Sequence, residues 1–191
     1  MPPLLLLLVT RPGWSQSSSQ AFKPRPIAGH AVLDLRVGVD RIDTQHPFLC
    51  AEISPLSWLS VEGCGTGSGF LHQDPNAPDM AHFRTRARAA SVSLGRTTAD
   101  LLLGAGFAEV QRTADQPGFL FGPQRDSEQI EAAGPEASAS IKGRYWLDAG
   151  GRTYAAADLN AGVAAIPAAP VVIGNGGPIV PFASLTLGFG F

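Results

Sequence analysis

The sequence predicts an all-β fold, specifically a closed, eight-stranded, antiparallel up-and-down β-barrel. Eight segments alternate between an apolar lane and a small or polar lane, which is the two-residue period of a strand. Glycine and proline are frequent, with 22 and 16 residues in a chain of 191, as expected for a β-rich chain with many turns. Short links alternate with longer ones, so each end of the predicted barrel carries one kind of connection.

The first strand is predicted over His30–Ile42, where apolar Leu35 and Val37 alternate with charged Asp34 and Arg36. A helix would scatter the two sets around its circumference, whereas a strand keeps them on opposite faces. The next two strands form a hairpin with a short turn. They are predicted at Phe48–Ser54 and Leu59–Leu71, joined by Pro55–Trp58.

The fourth and fifth strands, Ala81–Leu94 and Ala99–Arg112, are joined by the short link Gly95–Thr98. The fifth sets Leu101 and similar residues against glycines.

The sixth strand, Ser138–Asp148, and the seventh, Thr153–Ile166, alternate more sharply and are joined by Ala149–Arg152. The eighth strand is the terminal segment 182–191, which has one apolar and one small or polar face. It is expected to pair with the first and seventh strands and so to close the barrel.

The connections differ systematically in length. Those after the third, fifth and seventh strands are long, notably Thr113–Ala137 and Ala168–Val180, although the first, Asp43–Pro47, is short. Short turns on one side and longer loops on the other are typical of outer-membrane barrels.

The composition excludes several classes of protein. A net charge of −2 and a charged fraction of 16% leave no basic surface for nucleic acid. No run approaches the roughly 18 apolar residues of a membrane-spanning helix. The leucine run at Leu4–Val9 predicts a signal peptide over residues 1–15, with cleavage after Ser15 or as late as residue 21. Residues 16–29 then form an N-terminal periplasmic segment, and 30–191 form the barrel.

Two segments carry a resemblance to a known class. The hairpin segment 51–62 is similar to turns frequent in small outer-membrane barrels, and the chain stops on an aromatic residue of an amphipathic strand. The chain therefore resembles the small eight-stranded bacterial outer-membrane β-barrel proteins, the class of the OmpA transmembrane domain and OmpX. The resemblance implies a transmembrane barrel in the bacterial outer membrane, and as partners its lipid, lipopolysaccharide and the barrel-assembly machinery. It also implies a C-terminal assembly signal comprising Leu185, Leu187, Phe189 and Phe191.

Alternation alone does not decide which lane faces the barrel interior. In a membrane barrel the apolar lane meets lipid, whereas in a soluble lipocalin-like carrier it lines a ligand cavity. The membrane interpretation turns the polar lanes into an interior charge network, because eight strands leave room for side chains but not for an open pore. Its predicted members are Asp34, Arg36, Glu52, Glu62, Arg86, Arg88, Lys142, Arg144 and Asp158.

Three arginines at alternate positions on the fourth strand leave two interpretations open. Arg84, Arg86 and Arg88 share a parity with apolar Val92 and Leu94. Either a bulge near residues 89–90 switches the faces, or the arginines meet lipopolysaccharide phosphates at the outer rim. Interior pairing with Glu52 and Glu62 is favoured, because arginine on the lipid side is costly.

The two cysteines are predicted to be neighbours. A turn around Ser57 sets Cys50 opposite Cys64 and Glu52 opposite Glu62. In an oxidising compartment the thiols could form a disulfide; two unpaired small apolar side chains are the alternative. The spacing does not suggest a zinc or redox motif.

We expect a non-enzymatic protein without a cofactor that acts in membrane structure or surface contact. Any surface ligand would bind through Thr113–Ala137 and Ala168–Val180. An alternative is a lipid A-modifying enzyme, an acyl hydrolase or acyltransferase, although no nucleophile–base pair is visible in the sequence. Its candidate residues lie around the connection between the third and fourth strands. They are His72, Asp74, Asp79 and His82, with Ser68 on the third strand. The third hypothesis is the secreted lipocalin-like small-molecule carrier.

Overall fold

The computed structural model describes residues 32–67, 78–112, 119–123, 129–174 and 176–191. It confirms the predicted fold class: eight strands form one closed barrel in which each strand pairs antiparallel with the next and the last pairs with the first. The strands are β1 (Val32–Asp40), β2 (Phe48–Leu56), β3 (Leu59–Gly65), β4 (Asp79–Leu94), β5 (Thr97–Gln111), β6 (Glu131–Trp146), β7 (Tyr154–Ala165) and β8 (Ile179–Gly190). The predicted signal peptide and periplasmic segment lie outside the described residues.

Two tight turns join strands at one end of the barrel, which we call the turn end; the third connection there, residues 147–153 between β6 and β7, is longer than the predicted link Ala149–Arg152. Ser57–Trp58 separates β2 from β3, and Gly95–Arg96 separates β4 from β5. Gly95 has a φ of 58°, a left-handed conformation that glycine adopts without steric cost. The described chain also begins and ends here, where the backbone of Phe191 exchanges two hydrogen bonds of 2.9 Å with that of Leu33. The opposite end, with the longer connections, is the loop end.

Four strands, β4, β5, β6 and β8, begin earlier than the sequence predicted, and the difference is largest for β6. β6 starts at Glu131 rather than Ser138, and its added half pairs with β5 as far as the pair of Gln111 and Glu131. This half contains Gly134 and Pro135, which obscure the strand pattern. Pro135 is tolerated because pairing of β6 with β7 begins only at Glu136, so the missing N–H breaks no ladder there.

The loop after the seventh strand was also predicted too long. Ala168–Val180 includes the first two residues of β8 and a short helix, α1 (Ala169–Ile173). Pro170 lies in the first turn of α1, and Gly174 ends the helix with a φ of 73°. Within the described residues, no helix has the length and apolar character needed to cross a bilayer.

A register shift in β4 resolves the facing of its arginines. The pairing of β4 with β5 slips between Arg88 and Ala90, which is the position predicted for a bulge. Before the shift Arg84 and Arg86 point inward, and after it Val92 and Leu94 lie on the outward face.

Candidate functional site

The middle of the barrel holds eight buried charges of both signs. Four cations and four carboxylates point inward from six strands: Arg36, Arg84, Arg86, Lys142, Asp34, Glu52, Glu62 and Asp158. Asp34, Glu52 and Glu62 are direct cross-strand neighbours on β1, β2 and β3. Three adjacent carboxylates in a region of low dielectric would repel one another strongly, so cations from other strands must compensate them.

Arg36 and Arg86 reach the carboxylates from opposite sides. Arg36 contacts Asp34 through Nε at 2.6 Å and Glu52 through Nη2 at 2.8 Å. Arg86 contacts Asp158 through Nη2 at 2.6 Å and Glu52 through Nη1 at 3.1 Å. Both guanidinium groups also contact Glu62, and Arg36 contacts Asp158. Two forked cations thus bridge carboxylates that come from four strands.

Lys142 and Arg84 complete the charge balance. The Lys142 ammonium lies 2.8 Å from Glu52 Oε2 and 2.9 Å from Asp34 Oδ2, and Arg84 Nε lies 2.7 Å from Glu62 Oε1. Carboxylate oxygens of Glu52, Glu62 and Asp158 approach within 4.8 Å of one another, a spacing that could suit a metal ion. The arginines already neutralise these groups, so the cluster is complete as a network of ion pairs.

A disulfide and an aromatic layer lie next to this network on the loop-end side. Cys50 and Cys64 are cross-strand partners, as the hairpin register predicted, and they form a disulfide. The ring of His82 lies between Phe48 and Phe182, with ring centroids 5.9 and 4.4 Å away. His82 Nδ1 lies 2.6 Å from Glu136 Oε2, so the imidazole is held inside the barrel.

The loop end of the barrel is filled by apolar side chains. Helix α1 packs against β5 and β6 and buries Ala169 and Val172. With inward residues of the strands, such as Val110 and Phe182, the helix forms a hydrophobic cluster. Burial of this surface stabilises the helix position by the hydrophobic effect.

The turn end contains a smaller charged and aromatic group. Asp100 forms a salt bridge with Arg144 through Oδ2, and its other oxygen, Oδ1, lies 3.7 Å from Arg88 Nη1. The Arg144 guanidinium carbon lies 5.5 Å from the centre of the Tyr154 ring, and Trp146 packs edge-on against that ring. Inward side chains are thus present at both ends and in the middle of the described interior.

The outward face has the opposite character. Its large apolar residues are exposed on every strand, for example Leu35, Val61, Leu103, Ile141, Leu159 and Leu187. Among the described strand residues, charged side chains on the outward lanes occur only near the loop end of β4, β5 and β6, at Asp79, Glu109 and Glu131. Among the described residues, the strand segments between these two ends carry no charge on their outward lanes.

The residues of the predicted catalytic group do not converge where the structure describes them. His82 is 1% exposed and points inward, whereas Asp79, three positions earlier on β4, lies on the outward lane. Ser68, His72 and Asp74 lie outside the described residues. The candidate C-terminal assembly residues Leu185, Leu187 and Phe189 all lie on the outward lane of β8.

Several interior groups were missed by the sequence reasoning. Glu136 lies in the half of β6 that the sequence predicted as a loop. Asp100 lies on the lane of β5 that was recognised by its glycines, and Asn160 lies on the inward lane of β7. For Asp100 and Asn160, the sequence signal was only their alternation with outward apolar residues.

Two acidic side chains at the barrel ends have lowered pKa values. Asp43 lies between β1 and β2, and its burial alone would raise its pKa. The Asp43 carboxylate accepts hydrogen bonds from the backbone N–H groups of Gln45 and His46, and it contacts the His46 ring. These interactions outweigh the effect of burial, so the pKa of Asp43 is lowered. At the turn end, Asp148 accepts hydrogen bonds from the backbone N–H and hydroxyl of Thr153 and from the N–H of Arg152. These bonds lower the pKa of Asp148 to about 2.

No protein-family model matches the chain, and searches of curated proteins and of solved structures gave no match.

Proposed function

We propose that this protein is a bacterial outer-membrane β-barrel with a packed polar interior, which acts in envelope structure or surface contact rather than as an open pore. The observation that carries the proposal is the inverted arrangement of the wall: apolar side chains face outward on all eight strands, and the charges lie inside.

The exposed apolar band supports a lipid environment. Soluble monomers seldom expose contiguous apolar patches larger than a few hundred square ångströms. Here exposed leucine, valine, isoleucine and phenylalanine side chains encircle the barrel, while the charged residues that normally face water are buried. A lipocalin-like carrier would need the reverse orientation around an apolar cavity.

The packed interior supports a structural or contact role. Ion pairs fill the middle of the barrel, and apolar side chains with α1 fill the loop end. In a barrel of eight strands, such side chains leave little space for transport.

The two ends support an orientation. Tight turns and the last residue lie together at the turn end, which is the periplasmic side in outer-membrane barrels. The longer connections, with α1 and residues 119–123, would then face outside. They are the parts through which lipopolysaccharide or another surface ligand would be met, and the assembly machinery would read the C-terminal strand from the periplasm.

Fractionation combined with gel migration tests the proposal. The full chain should be recovered in the outer-membrane fraction of a Gram-negative host, and the detergent extract should migrate differently before and after boiling. Recovery in the soluble periplasm without detergent would overturn it and favour the carrier. Comparison of lipid A from cells with and without the protein separately addresses the enzyme alternative, for which an altered acylation pattern lost in His72→Ala or His82→Ala is the signature.

A further inference from the structure

A groove runs along the outward face of the barrel in the half nearest the loop end. It has a volume of about 650 Å³ and crosses the wall from β1 to β5. Its floor is low because β3 presents Gly63 and Gly65 outward, next to Ala51 on β2 and Ala81 on β4.

The two sides of the groove are apolar. Leu35 and Leu49 form one side, and Phe83 and Phe119 form the other. The ring centroids of Phe83 and Phe119 lie 5.4 Å apart, and both rings pack against Phe107. The groove continues the exposed apolar band of the wall, and its shape suits one extended acyl chain.

The position of the groove selects the kind of lipid that it meets. Gly65 ends β3 and Asp79 begins β4, both at the loop end, which faces outside in the proposed orientation. The groove therefore opens into the outer leaflet, where the resident lipid of a Gram-negative outer membrane is lipopolysaccharide. Because lipid tails are already in an apolar phase, selectivity must come from packing in the groove and from polar contacts at its end.

One oxygen at the end of the groove nearest the loops lacks a donor. Asp79 is 1% exposed, and its Oδ2 accepts a hydrogen bond of 3.3 Å from Gln111 Nε2. The other oxygen, Oδ1, is buried and has no hydrogen-bond partner among the described residues. An amide N–H or a hydroxyl at the head of an acyl chain would supply this donor, whereas the ester linkages of a glycerophospholipid have none.

An exposed cation lies at the same end of the barrel. Arg41 follows the inward residue Asp40 and so lies on the outward lane, where its N–H donates a hydrogen bond of 3.0 Å to Ala183 O. Its side chain is exposed and forms no salt bridge with a described residue. Three spacings of about 4.8 Å separate β1 from β4, so Arg41 and Asp79 lie roughly 14 Å apart around the wall. A phosphate at Arg41 would thus keep clear of the Asp79 carboxylate.

We infer that the groove binds one molecule of lipid A. One acyl chain lies along Gly63 and Gly65, the amide N–H at the head of that chain donates to Asp79 Oδ1, and a phosphate group contacts Arg41. The inference rests on the proposed membrane location and assigns a site to the lipopolysaccharide contact. Lipid A has the required groups, because it carries amide-linked acyl chains on a phosphorylated disaccharide, and guanidinium groups bind phosphate strongly.

The outward glycines provide matched variants for the chain. A Cβ added at Gly63 would lie 3.9 Å from the Phe83 ring, and one at Gly65 would lie 3.5 Å from Ala81 Cβ, which are ordinary contacts. Leucine at either position would occupy the floor of the groove. Gly143 is an outward glycine of β6, where an added Cβ would meet only Ala157 O at 3.8 Å. Gly143→Leu therefore adds the same bulk to the wall away from the groove.

The test is native mass spectrometry of the full chain purified in detergent, with bis-phosphorylated lipid A or phosphatidylglycerol added. The wild type should retain one lipid A roughly tenfold better than phosphatidylglycerol. Gly63→Leu and Gly65→Leu should lose this lipid, whereas Gly143→Leu should retain it. Arg41→Gln should weaken retention roughly tenfold, whereas Arg152→Gln, which removes an exposed arginine at the turn end, should leave it unchanged.

Asp79→Leu tests the contact at the head of the chain. Both added lipids are anionic, so the removal of the carboxylate charge affects both of them. Only lipid A also loses a donated hydrogen bond at this position, so its preference over phosphatidylglycerol should narrow. An unchanged preference would overturn the assignment of Asp79.

Equal retention of the two lipids by the wild type would overturn the inference, as would equal losses in Gly63→Leu and Gly143→Leu. A larger loss in Arg152→Gln than in Arg41→Gln would place the lipid at the wrong end and overturn it too. Heat-modifiable migration of each variant shows whether it is folded. If migration is normal and lipid A is not preferred, only the groove assignment fails. If the chain is soluble without detergent, the proposed function fails with it.

Discussion

Two consecutive residues of β6 show how differently the two faces of the wall are built. Ile141 is 59% exposed on the outward face, whereas Lys142 is 0% exposed and contacts Glu52 and Asp34 inside. In a water-soluble protein the lysine would be the exposed residue and the isoleucine the buried one. The chain reverses this at neighbouring positions of one strand.

The two faces of the wall depend on different interactions. Inside, each charge is tolerated because opposite charges compensate it, so the removal of one partner is more damaging than the removal of both. Outside, an apolar side chain makes no ion pairs, and the free energy of exposing it depends on whether the surrounding medium is lipid or water. Substitutions on the two faces should therefore fail for different reasons.

The largest effect is expected from removing one interior carboxylate. Glu62→Gln keeps the shape of the side chain but removes the negative charge shared by Arg36, Arg84 and Arg86. The loss of a partner from a buried ion pair costs about 3–5 kcal/mol, so we expect a fall of this size in the free energy of unfolding. Urea unfolding in detergent micelles, followed by gel migration, measures it.

The double variant Glu62→Gln/Arg84→Gln is the control for charge balance. It removes one cation with the anion, and it should be less destabilised than the sum of the two single variants. Additive losses would show that the interior is held by packing rather than by charge compensation.

The next effect concerns the outward face. Leu159 lies between Ile141 and Leu185 in the middle of the apolar band. Arginine at a bilayer midplane costs about 2–4 kcal/mol, so Leu159→Arg should reduce recovery of folded protein in the membrane fraction. Gln45→Arg, in the exposed connection between β1 and β2, should have no effect. Equal recovery of both variants would mean that the band does not face lipid.

Much of this wall was predictable from the sequence, because the two-residue period shows which residues of each strand share a face. The period and the turn position placed Glu52 opposite Glu62 and Cys50 opposite Cys64. On β4, arginines that share a parity with Val92 and Leu94 pointed to a bulge near residues 89–90 as one of two explanations, and the structure has the register shift there. Such features are local, and a hairpin turn fixes the register between adjacent strands.

Contacts across the interior were not predictable in the same way. The closeness of Arg36 and Asp158 depends on how the wall curves and closes, which the sequence does not encode in any single segment. The first half of β6 was missed because alanine, glycine and proline carry little strand signal. The outward acidic residue Glu131 lay in that same half.

The disulfide gives a smaller effect and belongs to the inward face, since it joins adjacent strands inside the barrel. Cys50 and Cys64 are 14 positions apart, and in the chain-entropy description a loop of this length adds up to about 3 kcal/mol. Cys50→Ala/Cys64→Ala should lower the urea midpoint by a corresponding amount. Reductant should lower the midpoint of the wild type and leave that of the double variant unchanged; an unchanged wild type would show that the bond does not stabilise the fold.

The smallest effect belongs to the rim, where charges face water rather than lipid or the interior. The pKa of Asp148 is lowered from 3.8 to about 2 by hydrogen bonds from Thr153 and Arg152, so its carboxylate stabilises the turn fully above the ordinary pKa. As the pH falls through the lowered pKa, the carboxylate becomes protonated and this contribution is lost. We therefore expect the amide proton resonance of Thr153 to titrate near pH 2 in NMR spectra of the micelle-bound protein, and in Asp148→Asn this titration should vanish. A wild-type midpoint near 4 would mean that these hydrogen bonds do not persist in solution. The turn end would then differ from the interior, because the Asp148 charge would have no fixed partner.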